Sequence, residues 1–510
     1  MHIHYTYKSV ICALLISLFP VLSEAQLSLN AENMALGGGG TAYLTGYESL
    51  FVNPANLFIS EKTYRLEISA FQGSFYIDTM LPVDNNSKLD QYRTVTSEFR
   101  SSEIPGALSQ NRREFLLDRN YPNNRMISQN KSIGELYWFG IKWTRSDRNY
   151  ALALRTRIGN RHEISRGQFS DEIFSIDESS VFDQSFRHQY QILHEISFGY
   201  AESFTLLNGL IPQLSEFIVG IAPKIVISGA NLDVNHTNSF NRSENSSVWT
   251  HENSTSQQTS GPFSNNARNF FDSSNGGQAS DNQSRMSELL NPTGIGFGLD
   301  LGVTYLITFG DDLSILREQD APTEKSLRLS FSITDIGAVR YFEDPITYDT
   351  NTTIRESATL DPVSNYPFTG SPGEHYFFLN QNNTFIQSPR YIRNSNSYTT
   401  LLPASVQAGA LFQISRFKLM GDLSLAFHDS AFQKNGLTSY FGAEVRPFSF
   451  LPLRAGTRFA PGLPGYYSFG TGIETKSFDL NAAVQLKTDN FAATSEIVGA
   501  SVLGLKFYFQ

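Results

Sequence analysis

Fourteen stretches of this chain alternate apolar residues with polar or small ones, which is the period of a β-strand with two different faces. In the thirteenth stretch, the even-numbered residues from Phe478 to Leu486 are Phe, Leu, Ala, Val and Leu, and the odd-numbered residues between them are polar or small. Such alternation is typical of a strand between lipid and a wet interior. The predicted strands lie at about 63–76, 133–145, 150–165, 187–205, 217–233, 294–309, 326–342, 401–414, 418–428, 438–448, 453–459, 466–475, 478–488 and 497–509.

The lengths of the linkers support a barrel with two different ends. The three longest, at about 82–132, 237–293 and 343–400, all follow odd strands, whereas the turns 146–149, 415–416 and 475–477 follow even ones. An even strand number returns the chain to its starting side, and an open sheet edge would leave backbone groups unpaired in lipid. The pattern therefore predicts an all-β fold. It is a closed antiparallel 14-stranded transmembrane barrel in the outer membrane of a Gram-negative cell, with periplasmic termini and long extracellular loops.

Two residues interrupt this pattern. Pro223 cannot donate to a strand ladder, so a kink or bulge is expected in the fifth strand. If the seventh strand kept its phase, Asp335 would face lipid at a cost of about 2 kcal/mol near the midplane. We therefore expect a bulge, or the end of the lipid band, near 334–337.

Residues 237–290 are rich in Asn, Ser, Gln and Gly. This composition buries too little apolar surface to order itself. We expect a solvated, mobile surface loop, with a partner-binding segment that folds on contact as the alternative.

The first residues have the features of a secretory signal peptide. Lys8 precedes an apolar run from Val10 to Leu22, and Ser23-Glu24-Ala25 offers small residues at a cleavage site before Gln26. A retained anchor is the alternative, but the run is short for a membrane span. The predicted domains are the signal peptide at 1–25, an N-terminal hatch at 26–60 and the barrel at 61–510.

Composition excludes several classes of function. The formal net charge is −10 with no basic cluster, which argues against nucleic acid as a partner. Cys12 is the single cysteine and lies in the signal peptide, so disulfides and thiol chemistry are not expected in the mature chain. The mean hydropathy of −0.25 fits a barrel whose lumen-facing residues are polar.

The segment from Ala35 to Leu57, ALGGGGTAYLTGYESLFVNPANL, resembles the N-terminal hatch of FadL-like outer-membrane transporters. It is also similar to related Bacteroidetes barrels, which include PorV-type secretion proteins and the DUF5723 family, and the strands in 296–307 and 327–339 strengthen this resemblance. The resemblance implies a small helical or irregular hatch that plugs the lumen. Its motif residues are Gly37, Gly38, Gly39, Gly40, Asn53, Pro54 and Ala55.

Within this motif, the resemblance implies that Asn53, Pro54 and Ala55 cap a helix or turn and anchor the hatch to the barrel wall. The family usually has Gly after this triplet, whereas this chain has Asn56. The amphipathic last strand, which ends in Phe507-Tyr508-Phe509-Gln510, resembles the signal read by the outer-membrane assembly machinery.

No motif indicates an enzyme, a metal site or a cofactor. His428, Asp429 and Ser430 are consecutive, so on a strand they point to alternate faces and cannot form a triad with each other. His162-Glu163 and His194-Glu195 lack the second helical histidine of a zinc protease. The glycine run lacks the lysine and the preceding strand of a phosphate-binding loop.

The strand phases instead predict a charged lumen. The inward candidates are Arg65, Glu67, Arg155, Arg157, Glu195, Lys224, Asp300, Arg328, Asp422, Glu444, Arg446, Arg454, Arg458, Glu474, Asp479, Lys487 and Lys506. Because the signs are mixed, one interpretation is a salt-bridged network that holds the plug, and the other is a polar substrate path. A continuous apolar tunnel is not evident from the strands.

Two functions follow from these features. The first is FadL-like uptake of a small hydrophobic or amphipathic molecule through rearrangement of the hatch. The second is a PorV-like, non-enzymatic scaffold whose outer loops hold a secreted protein, which the long Asn/Ser-rich loops favour. An apolar pocket between hatch and wall would support uptake, and a packed, salt-bridged lumen would support scaffolding.

Overall fold

The structure is a computed structural model of the 510-residue chain. It describes residues 28–60, 62, 64–79, 117, 121, 126–145, 148–168, 173–176, 179–204, 215–243, 246–271, 286–309, 325–357, 392–460, 465–488 and 495–510. The predicted signal peptide lies outside these residues. Among the helices described, none has the length and apolar composition needed to cross a membrane.

Fourteen antiparallel strands form one closed barrel, which confirms the predicted fold. The first strand pairs with both the second and the last, so the sheet has no free edge along these ladders. The strands are β1 Leu66–Thr79, β2 Ile127–Thr144, β3 Arg148–Ser165, β4 Phe186–Ser203, β5 Ser215–Ser243, β6 Gly294–Thr308, β7 Lys325–Tyr341, β8 Ser405–Ile414, β9 Phe417–Ala426, β10 Gly436–Phe448, β11 Leu451–Phe459, β12 Gly465–Glu474, β13 Phe478–Thr488 and β14 Ser495–Phe509.

The two faces of the barrel differ as the alternation predicts. The outward face exposes large apolar side chains such as Phe297, Phe331 and Phe469. Residues of the opposite phase in the same strands, including Asp300, Ser332 and Ser468, point inward and are buried. An apolar exterior around a polar interior is the arrangement that a lipid bilayer requires of a barrel.

The barrel has a short-turn end and a long-loop end. At the short-turn end, β8 is followed by β9 after two residues and β10 by β11 after two residues. At the long-loop end, strands continue beyond the barrel. Strand β5 is 29 residues long, and its last part pairs with Val248–Ser260, which in turn pairs with Ile346–Ser357.

This projecting sheet corrects the prediction of a mobile loop at 237–290, and it continues into the long loop predicted at 343–400. Residues 244–245, 272–285 and 358–391 of these two ranges lie outside the described part of the chain. Helices α2 Pro262–Phe271 and α3 Met286–Leu289 also lie there, and the shorter strands Phe174–Ile176, Ser179–Asp183, Ile392–Asn394 and Tyr398–Leu401 extend the sheet. The polar composition hides these strands because backbone pairing orders them without an apolar face. A few buried aromatic contacts help, such as Phe240 stacked on His251. The predicted loop 82–132 also ends earlier, since β2 starts at Ile127, and its residues before 117 lie outside the described part.

The seventh strand has the expected bulge. The register with β6 shifts between Ile333 and Ile336, and Asp335 has a φ of 58°. The bulge turns Asp335 into the lumen, and Ile336 takes the outward place. Around Pro223, by contrast, no register shift occurs, because Ser197 pairs with Lys224 and Tyr200 with Ile221 in the same register. Of the kink or bulge expected there, the bulge is wrong, because the register shift in this strand pair lies between Gln191 and Leu193.

Residues 28–60, which we call the hatch, fill the lumen. They form helix α1 Ala31–Ala35 and two 3-10 helices, Tyr47–Phe51 and Pro54–Phe58. Nearly every hatch side chain is buried, including polar ones such as Asn33 and Asn53. A short 3-10 turn cannot bury its own surface, so the barrel wall supplies the packing partners.

Candidate functional site

The glycine run lets the hatch backbone touch the wall. Gly37 has a φ of 91°, and a Cβ there would lie 2.6 Å from the carbonyl oxygen of Thr457 on β11. The Gly40 N–H donates to the Asp422 carboxylate on β9 at 2.6 Å, and a Cβ on Gly39 would meet the same carboxylate at 2.5 Å. Side chains would prevent this approach, so the run places backbone donors against a buried acid.

Asn53 caps the second 3-10 helix and ties it to the wall. Its side-chain oxygen accepts the Ala55 N–H at 3.2 Å. Its amide nitrogen donates to the Thr41 carbonyl at 3.1 Å and to the Thr304 hydroxyl on β6 at 3.0 Å. Pro54 occupies the first helical position, where no N–H donor is needed. Ala55 packs at the wall glycine Gly220, where a Cβ would collide with its backbone.

Three further anchors were not found from the sequence. Asn56 donates to the same Thr41 carbonyl at 2.8 Å and accepts from Thr304 at 2.7 Å. Lys142 on β2 donates to the carbonyls of Thr45 and Ile59, and Asn149 on β3 donates to those of Leu57 and Phe58. Only Asn56 carried a signal, namely its place directly after the motif.

The predicted charges on β3, β4, β5 and β6 meet in one buried network. Arg155 pairs with Glu195 at 2.5 Å, and Lys224 pairs with Asp300 at 2.8 Å. Arg157 joins the two pairs. It contacts Glu195 of the first pair, and it contacts Asp335 at 3.0 Å, which in turn binds Lys224 of the second pair. Asp335 enters the lumen only because of the bulge.

This network also touches the hatch. Arg155 lies 3.8 Å from the ring centre of Phe51, and Glu135 on β2 accepts the Leu29 N–H at 2.9 Å. Burial of charge at this density is tolerated only where each group is paired. The wall therefore holds the hatch with ion pairs and aromatic contacts as well as hydrogen bonds.

A second network lies on β10, β11 and β12 toward the short-turn end. Arg454 pairs with Glu444 at 2.7 Å and with Glu474 at 2.5 Å. The hydroxyl of hatch residue Tyr43 donates to Glu444. Burial raises the pKa of Tyr43 well above its usual value, so this hydroxyl stays a neutral donor.

Next to this network is a polar cavity of about 40 Å³. Its lining includes Lys62, Arg446, Asp479 and Lys506. Lys506 on β14 pairs with Glu32 at 2.8 Å and with Glu48 at 2.9 Å, which attaches the hatch to the last strand.

Arg328 on β7 is fully buried. One other inward candidate is placed differently. Arg65 is exposed, because β1 begins at Leu66 and its predicted start was too early. Tyr64, the residue before Arg65, is buried and donates to Glu67 at 2.7 Å.

A segment between β9 and β10, which we call the inward loop (427–435), was not anticipated. It carries the His428-Asp429-Ser430 sequence and folds into the lumen from the long-loop end. Arg187 at 2.7 Å and Arg161 at 3.3 Å hold Asp429. Burial alone would raise the pKa of Asp429, but Arg161, the Asn435 N–H and Arg187 together lower it. The Ser430 hydroxyl accepts the Phe432 N–H, so this triplet shapes a turn.

Between the inward loop and the hatch lies an apolar cluster, which we call the lumen core. Leu29 and Met34 come from the hatch and Phe432 from the inward loop. The wall contributes Ile133, Leu193, Val226, Val339, Leu402 and Val498. Polar atoms lie at its margin, where Tyr341 exchanges hydrogen bonds with Gln191 and Ser228, each at 2.8 Å. The sequence pattern did not reveal this layer, because its members come singly from many strands.

Within the described ranges, no group of three or more histidine, cysteine, aspartate or glutamate side chains could hold a metal ion. The lumen arrangement consists of a filled apolar layer and two salt-bridged layers. These layers close the lumen by packing and by paired charges.

The chain matches the family of unknown function DUF5723 over residues 94–459. The match covers most of the barrel and leaves out the hatch, strand β1 and the last three strands. No curated protein matches the chain.

Several solved structures are similar to this chain. The Pseudomonas putida toluene transporter TodX has 12% identity and a TM-score of 0.41, with 95% of this chain and 99% of that chain covered. The Ralstonia pickettii toluene transporter TbuX has 11% identity and a TM-score of 0.43, with 95% and 99% covered. A Pseudomonas aeruginosa FadL homologue has 11% identity and a TM-score of 0.38, with 96% and 100% covered.

Proposed function

The chain belongs to the DUF5723 family, and we propose that it is an outer-membrane barrel for the uptake of a small amphipathic molecule. The described lumen is packed and salt-bridged, so uptake requires the lumen core to open. The apolar character of this layer carries the proposal. An apolar layer inside a polar barrel, with tyrosine hydroxyls and amides at its margin, suits a ligand with an apolar body and a polar end. The proposed orientation places the long-loop end outside the cell and both termini in the periplasm.

In this mechanism, two plugs must move in turn. Phe432 and the inward loop close the lumen core from the long-loop end, and helix α1 closes it from the other side. A molecule that replaces Phe432 would gain the same apolar contacts. It would then leave past the hatch, whose backbone is held mainly by hydrogen bonds and ion pairs that can exchange with water.

The second candidate is a scaffold that binds a secreted or surface protein. The observation that favours it is the projecting sheet, in which Val248–Ser260 is paired on both sides well beyond the barrel. The salt-bridged layers also support a lumen that stays closed. In this function the hatch would serve only as a stabilising core.

Native mass spectrometry of protein extracted gently from its own outer membrane distinguishes the two. Uptake predicts a stoichiometric small-molecule adduct that is lost in Leu193→Gln, a change inside the lumen core. Phe342→Gln is the matched control, since Phe342 is 53% exposed at the long-loop end. Co-purified protein partners without a small adduct would refute uptake and support the scaffold.

A further inference from the structure

Four charged side chains meet where the hatch touches the first and last strands. Lys506 on β14 binds Glu32 of α1 and Glu48 of the first 3-10 helix. Glu67 on β1 accepts the Tyr47 N–H at 3.2 Å and the Tyr64 hydroxyl at 2.7 Å. The cluster therefore has three carboxylates and one ammonium, and it connects both parts of the hatch to the barrel seam.

Two of these carboxylates converge over Gly46. A Cβ on Gly46 would collide with Oε2 of Glu48, and it would lie 2.9 Å from Oε1 of Glu67 and 3.3 Å from Nζ of Lys506. Oε2 of Glu48 is buried without a hydrogen-bond partner among the described residues. Neighbouring buried carboxylates cannot both ionise without a cost, so a proton on one of them is favoured.

We propose that Glu48 is a proton-controlled latch of the hatch. When protonated, Glu48 leaves Lys506 to Glu32 and removes one negative charge from the buried cluster. When ionised, Glu48 keeps the ion pair of its Oε1 with Lys506, but its Oε2 becomes a buried charge without a partner beside Glu67. That second oxygen favours release of the turn Tyr47–Phe51 from β1 and β14. The polar cavity lined by Glu32, Glu67 and Lys506 gives the cluster a route to water.

The direction of the pH dependence follows from burial. Burial raises the pKa of Glu48 to about 7, with Glu32 and Glu67 adding to the effect and Lys506 opposing it. In an open hatch, the carboxyl returns toward its ordinary value of 4.5. The closed hatch therefore binds the proton more tightly. Its advantage is complete below about pH 4.5 and is lost as the pH rises through about 7, by up to about 300-fold in the closing equilibrium.

The latch would regulate the hatch movement on which the proposed uptake rests, but its test does not use uptake. The full chain in lipid nanodiscs is followed by hydrogen–deuterium exchange at pH 5.5, 7 and 8.5, with rates corrected for intrinsic chemistry. Strands β8 to β11 serve as the internal reference. We expect peptides covering Gly46–Asn53 to lose protection relative to these strands as the pH rises.

Glu48→Gln mimics the protonated acid, so its hatch should stay protected at every pH. Glu163→Gln is the control, because Glu163 pairs with Lys434 away from the hatch and its variant should keep the wild-type profile. A pH-independent wild-type hatch, or a Glu48→Gln hatch that still loosens at high pH, would overturn the latch. If a variant fails to fold, the pH dependence of hatch exchange in the wild-type protein still tests the latch. Loss of uptake with an intact pH profile would refute the proposed function and leave the latch standing.

Discussion

Replacement of Asn53 by Ala should loosen the hatch without opening the barrel. The side chain is fully buried and makes one capping bond and two bonds from its amide, to Thr41 and Thr304. Loss of a cap costs about 1 kcal/mol, and each further buried hydrogen bond contributes about 1 kcal/mol net. Thr41 and Thr304 keep Asn56 as a partner, which limits the penalty for leaving them unpaired.

The expected cost is therefore about 2–3 kcal/mol, which is about a 30- to 150-fold increase in the population of the open hatch. Hydrogen–deuterium exchange measures this directly as faster exchange in peptides spanning 46–59. Asn265→Ala, at an exposed position on α2, is the control and should leave hatch exchange unchanged. Unchanged hatch protection in Asn53→Ala, or an equal rise in the barrel strands, would refute the assignment of Asn53 as an anchor.

Three other changes test separate layers of the lumen. Gly37→Ala should lower the thermal unfolding temperature, because the φ of 91° and the Thr457 carbonyl both oppose a Cβ at this position. Gly134→Ala on β2 is the control: its Cβ would meet no atom within 4 Å, so the unfolding temperature should not change. Equal effects of the two substitutions would contradict the close approach of the hatch to the wall. Lys224→Met should lower the free energy of unfolding in urea by about 3–5 kcal/mol, because it leaves the buried Asp300 carboxylate without its ion-pair partner. The double variant Lys224→Met with Asp300→Asn should recover much of this loss. A single variant as stable as the wild type would contradict a tightly coupled network. Phe432→Ala should cost about 3 kcal/mol and raise the influx of the small hydrophobic fluorophore N-phenyl-1-naphthylamine, while the exposed Phe342→Ala should do neither.

The strands could be predicted from the sequence because a barrel in lipid repeats one local rule at every step. The outward residues of β13 and the bulge at Asp335 both follow from the preference of apolar side chains for lipid and of charges for the lumen. The projecting sheet has water on both sides, so its strands show no such alternation. Its order comes from backbone pairing between segments about 100 residues apart, such as Val248–Ser260 with Ile346–Ser357.

The candidate site was predictable only in part for a similar reason. Strand phase indicates that Arg155 and Arg157 face inward, but it does not indicate which acid each one meets. The bonds of Lys142 and Asn149 to hatch carbonyls span more than 80 residues and involve backbone acceptors that carry no sequence signal. Phe432 likewise gave no strand pattern, and only the folded barrel shows that it completes the lumen core.

The central claim, that a molecule crosses by moving the hatch, is best tested by locking the hatch to the wall. The Cβ of Leu36 lies 2.9 Å from the position of a Cβ on Gly442, so Leu36→Cys with Gly442→Cys needs only a small shift to form a disulfide. The measurement is influx of N-phenyl-1-naphthylamine into cells that carry the double variant, before and after reduction. The uptake account predicts influx above the empty-vector level only when the disulfide is reduced, whereas the same influx in both states, or none in either, would contradict it.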